Sequence, residues 1–225
     1  MLSFLNRETL ARTYRDPVAW AILAVDLFPV VAVLTLGWGV AALVFLYWLE
    51  NLIIGAVALA KMSAASMKES PIGLIGMVFL GPFFIIHYGM FCFVHGIFVA
   101  SFAEIQIGNN PEFFGPFGLV DLALASGAMM PLFVWTIILL QAFLYARDFI
   151  WGREYKTASV DAMMVAPYGR VVVLHIGIFA GAAAMAAFGQ PLWGVLALIL
   201  LRALWGVFLT IRRRNRLDAA PQLQS

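Results

Sequence analysis

The sequence predicts an all-α fold, a polytopic transmembrane bundle of six helices. Three observations carry this. Hydrophobic residues make up 64% of the 225 and charged residues 12%, with a mean hydropathy of +0.95. Soluble domains carry about 45–50% and about 25%. The apolar residues fall into runs near the ~20 residues that a helix needs to cross hydrocarbon. The basic residues then collect on alternate connections. Helix is the expected form because backbone amides in lipid must be satisfied within their own segment. A barrel would show alternating strands of about 10 residues, and no such pattern is visible.

The first span is expected over residues 17–36. The sixteen residues before it are polar and mixed in charge, and the run itself is too long for the apolar region of a cleavable signal. Gly37 alone leads to the second span, 38–60. The third, 72–101, contains Pro82, which removes one backbone bond and should kink the helix about a turn before His87. Gly108-Asn109-Asn110-Pro111 then breaks the chain, and 117–125 reads as a short helix lying in the interface. The fourth span is expected over 129–146, the fifth over 171–188, and the sixth over 191–211 after Gly189-Gln190. Connections as short as Gly37 and Gly189-Gln190 imply antiparallel neighbours. Together the spans form one integral membrane domain over residues 1–225.

Charge orients this scheme. Thirteen of the 14 basic residues fall on one side: Arg7, Arg12, Arg15, Lys61, Lys68, Arg147, Arg153, Lys156, Arg170, Arg212, Arg213, Arg214 and Arg216. The positive-inside rule puts that side, with both termini, in the cytoplasm of a cell's inner (plasma) membrane. Arg212 to Arg216 read as a stop-transfer anchor, with anionic headgroups as the alternative partner. Trp38 and Trp193 are expected at the outer boundary and Trp151 at the inner one. The partners implied are the lipid bilayer and further copies of the chain. A net charge of +2 gives nucleic acid no support. One cysteine, Cys92, excludes an intrachain disulfide.

Six ionisable residues sit inside the expected spans: Asp26, Glu50, His87, His95, His175 and Arg202. Each costs about 2.5–3.5 kcal/mol near the bilayer centre unless it faces the bundle interior and finds partners. Asp26 and Arg202 suit a structural pair, and His175 a structural histidine. Glu50, His87 and His95 are the candidate site. His87, Tyr88, Cys92 and His95 fall within an arc of about 140° at ~100° per residue. Tyr47, Glu50 and Asn51 form a matching face on the second span. Gly89 and Gly96 offer close approach to another helix.

Imidazole with carboxylate suits zinc, copper or iron, with Tyr47, Asn51 and Tyr88 as supporting groups. The two histidines are eight apart, whereas a shared ion on one helix usually takes histidines four apart. Haem b fits less well, because His87 and His175 sit at different depths and no Cys-x-x-Cys-His occurs. Gly-x-Ser-x-Gly and Gly-rich phosphate loops are also missing from the sequence.

Tyr47-Trp48-Leu49-Glu50-Asn51, with His87-Tyr88-Gly89-x-Phe91-x-x-x-His95-Gly96, resembles an uncharacterised family of bacterial polytopic membrane proteins. The resemblance covers spans two and three and implies that Tyr47, Glu50, Asn51, His87 and His95 share one site. It implies no activity. Two functions are expected to compete. One is a membrane-embedded transition-metal site, with enzymatic action on a lipophilic substrate as its furthest extension. The other is a proton- or cation-coupled transporter or channel with Glu50 and His87 as relay. A purely structural role is the third possibility.

Overall fold

The computed structural model describes residues 7–69, 71–102, 115–188 and 191–219. All regular structure among them is helical: α1 (Arg7–Thr13), α2 (Pro17–Leu36), α3 (Val40–Glu69), α4 (Pro71–Phe102), α5 (Pro116–Ala125), α6 (Met130–Leu144), α7 (Val160–Phe188) and α8 (Pro191–Ala219). A π-helical stretch (Tyr145–Trp151) and a 3₁₀ turn (Glu154–Lys156) join α6 to α7. Four described helices are long and apolar enough to cross a membrane: Pro17–Leu36, Val40–Met67, Ile75–Ser101 and Met130–Trp151. They match the first four expected spans. The expected short helix at 117–125 is α5. The Gly108–Pro111 break and Gly189-Gln190 lie outside the described residues.

The starts of these helices follow from local chemistry. Pro17, Pro71, Pro116 and Pro191 each open a helix, where the missing N–H costs nothing. Asp16 caps α2 by accepting the Val18 N–H at 3.0 Å. Gly37, with φ +68, follows α2 in the left-handed region that suits glycine.

Two expected boundaries move. The second span was expected to stop before Lys61, yet α3 runs on to Glu69. Lys61 is accommodated within it, its ammonium 5.3 Å from the Phe149 ring centroid, and Ala64 and Ala65 favour helix. The fifth span was expected from 171, yet α7 begins at Val160. Ser159 precedes it as an N-cap residue and Asp161 sits in its first turn. Pro82 lies inside an unbroken α4.

The chain divides into two compact units, residues 1–35 with 173–225, and 36–172. The second unit is built around α3. Every residue from Ala42 to Asn51 is buried, so this stretch of α3 is enclosed, and along its length α3 packs against α4, α5, α6 and the α6–α7 connection. Its principal partner is α4. Gly55 and Gly96 set that approach: a Cβ on Gly55 would fall on the Tyr88 ring, and one on Gly96 would lie 2.8 Å from the Trp48 indole. Gly89 has nothing within 4 Å of its Cβ position, so only Gly96 of the expected pair serves close packing. Trp38 is buried, donating to the Ala128 carbonyl at 3.1 Å.

The first unit is tied by charge. Arg202 Nη2 lies 2.8 Å from Asp26 Oδ1, Arg213 Nη1 3.3 Å from Asp16 Oδ2, and Arg12 Nη2 donates to Asn215 at 2.5 Å.

Candidate functional site

The candidate site lies in the second unit, where α3, α4 and the first half of α7 meet. On α4 the buried stripe is Phe84, Tyr88, Cys92, His95 and Val99, spaced three or four apart as one helix face requires. This stripe faces α3. The Tyr88 hydroxyl donates to the Asn51 carbonyl at 3.0 Å, and Trp48 Nε1–H donates to the Cys92 carbonyl at 2.8 Å. Asn51 thus enters through its backbone, not its amide.

The two α4 histidines part company. His95 sits about 20° from Tyr88 around the helix and is buried at 6% exposure. His87 stands about 100° from Tyr88, at the edge of the polar arc, and is exposed. Its Nδ1 lies 2.6 Å from the Tyr168 hydroxyl, and its ring stacks on Phe83 at 5.4 Å. Tyr168 also meets Tyr88 edge to face, 5.4 Å between centroids.

Glu50 is held by a residue that the sequence placed elsewhere. Arg170 Nη1 donates to Glu50 Oε1 at 2.6 Å, with the carboxylate side chain 7% exposed and the guanidinium side chain 20%. Arg170 was expected in a cytoplasmic loop, but α7 begins early enough to carry it into the helical layer. Met163, Pro167 and Val171 form the buried stripe of α7. Tyr168 and Arg170 flank that stripe on its two sides, one meeting α4 and the other α3. His87 occupies the middle of α4, about 24 Å from either end at ~1.5 Å per residue, and its bond to Tyr168 puts this part of α7 at the same level. Tyr168 and Arg170 are therefore the residues sequence reasoning missed. Their one signal was adjacency to an apolar run, Tyr168-Gly169-Arg170-Val171.

Such an ion pair, short and charge-assisted, is strong in its hydrogen bond. Its net contribution is small, because both ions lose water. Removing one partner is what costs, about 3–5 kcal/mol. The arrangement links imidazole and phenol on one side of α7 with guanidinium and carboxylate on the other.

Tyr47 is buried on α3. Asp26, Arg202 and His175 belong to the first unit, where Asp26 and Arg202 form the ion pair described above. Gly206 admits that pair, since a Cβ there would overlap the Asp26 carboxylate. Among the described residues, no three His, Cys, Asp or Glu side chains group so that they would hold a metal ion.

A helical chain with four apolar helices of bilayer length, and with buried ion pairs partway along its helices, has the features of a membrane protein. Residues 8–223 match DUF6498, a family of unknown function, and the chain belongs to that family. No curated protein and no solved structure matches it.

Proposed function

We propose that the protein is a proton- or cation-coupled transporter or channel whose relay includes His87, Tyr168 and Glu50, with Arg170 as the fixed positive partner of Glu50. The Glu50–Arg170 ion pair carries this reading. A carboxylate and a guanidinium retained inside a membrane bundle recur where charge must move. The adjacent His87–Tyr168 hydrogen bond adds an imidazole, a group that can both accept and donate a proton, on an exposed face of α4. The proposal includes six spans, with α7 and α8 supplying the last two. It also includes both termini in the cytoplasm, an inner-membrane location and the self-association expected from the sequence.

The test is proton flux in proteoliposomes carrying an internal pH dye. The wild type is expected to carry protons under an imposed gradient. Glu50→Gln and His87→Gln are expected to fall at least about tenfold, toward empty-vesicle rates. Wild-type flux no greater than that of empty vesicles overturns the proposal.

A metal site is the second reading, and one observation favours it. Tyr168 holds Nδ1 of His87, an exposed residue, and leaves Nε2 out of that bond, as in a ligand oriented through its other ring nitrogen. Against it, the Glu50 carboxylate already binds Arg170. Zinc, copper or iron at one per chain in purified protein, lost in His87→Ala, would establish this reading and open a catalytic role toward a lipophilic substrate. Metal-free, folded protein would remove both.

A further inference from the structure

Arg170 meets Glu50 through one nitrogen. Nη1 makes the hydrogen bond, and among the described residues Nη2 and Nε donate to no protein group. The guanidinium side chain is 20% exposed against 7% for the carboxylate, so Arg170 is the more accessible partner of the pair. A guanidinium is a planar fork of five N–H donors that matches a carboxylate or phosphate through two parallel bonds. Leaving that edge bare inside a membrane bundle is unfavourable, because hydrocarbon offers no acceptor.

We infer that the open Nη2/Nε edge of Arg170 binds an oxyanion, a carboxylate or phosphate group, with Glu50 holding Arg170 in place when the site is empty. The anion adds to the guanidinium through two hydrogen bonds, and no covalent bond forms or breaks. Glu50 is a built-in competitor, since its negative charge lies on the opposite edge of the same cation and repels the ligand. As a statement about the transported substrate the inference rests on the transport reading. As a statement about binding it stands alone. Two sources offer this chemistry, a soluble anion and an anionic lipid headgroup. A headgroup would have to descend roughly half of the ~30 Å hydrocarbon layer to reach the level of His87 and Tyr168.

The test is thermal unfolding of detergent-purified protein in potassium phosphate or potassium acetate, with potassium chloride at matched ionic strength as baseline. Anything that binds only the folded state raises the midpoint with concentration. Phosphate or acetate is expected to raise the wild-type midpoint above chloride. Arg170→Lys keeps the charge that holds Glu50 but loses the fork, and should weaken binding at least about tenfold. Glu50→Gln should tighten it several-fold. A second arm uses phosphatidylcholine nanodiscs with and without phosphatidylglycerol. Stabilisation by phosphatidylglycerol that disappears in Arg170→Lys would also support the oxyanion site and assign it to a headgroup.

No response of the wild type to any of these probes overturns the inference, as does an equal response in Arg170→Lys. Proton flux separates the two proposals. Flux without an anion response removes the oxyanion site and leaves the relay. An anion response without flux does the reverse.

Discussion

Glu50 and Arg170 are charged groups that neither helix would keep alone in hydrocarbon. Glu50→Ala strands the guanidinium, and is expected to cost about 3–5 kcal/mol of stability in detergent unfolding. Glu50→Gln keeps an acceptor and should cost less, which is why the flux assay uses it. The same scale separates two glycines of α4 and α3. Gly55→Val drives a side chain into the Tyr88 ring and should cost about 1–3 kcal/mol. Gly89→Ala meets nothing within 4 Å, and should be neutral or slightly stabilising by up to about 1 kcal/mol in a helix. Thermal midpoints of the two variants check both. The sequence made Glu50, His87, Tyr88 and Asn51 visible because polar groups stand out against Phe, Ile and Leu. It could not show that Tyr88 reaches the Asn51 carbonyl instead of its amide. Nor could it show that His87 turns away from the stripe that buries His95. Both depend on how far α4 is rotated against α3, which Gly55 and Gly96 set through contacts with Tyr88 and Trp48.

Helix ends are harder to read than helix centres, and α7 shows why. Asp161, Pro167, Tyr168 and Arg170 depress hydropathy over its first turns, so the apolar run starts at Val171. What keeps those turns helical is the stripe Met163, Pro167 and Val171 packed into the second unit, a tertiary effect absent from any local window. Lys61 misled in the same way, since its position over Phe149 lets α3 continue. In the six-span scheme the α6–α7 connection faces the cytoplasm while Val172 lies at the lipid surface. On a Cys92→Ala background, Thr157→Cys is therefore expected to react with an aqueous maleimide from the cytoplasmic side. Val172→Cys should not react until the membrane is dissolved. Equal labelling of the two would place the start of the fifth span wrongly.

At the scale of the whole chain, the basic residues remain the signal from which an orientation is expected, although Arg170 lies within α7 and not in a loop. The first unit concentrates that signal where Arg213 meets Asp16 and Arg12 meets Asn215. A reporter that fluoresces only in the cytoplasm, fused after α8, is expected to be bright. The fold class and four of the spans follow from apolar run length, which is a property of segments. The ion pairs follow from packing, which is a property of the assembled bundle. Asp26–Arg202 was expected and Glu50–Arg170 was not, because both members of the first pair lie within apolar runs. The most direct measurement is therefore a double-mutant cycle of Glu50→Gln and Arg170→Gln, read by reversible unfolding in mixed micelles. The double variant is expected to lose little more stability than either single one, a coupling of about 2–3 kcal/mol. Losses that add to within about 0.5 kcal/mol would mean that the two side chains do not meet, and would contradict the site on which the functional reading stands.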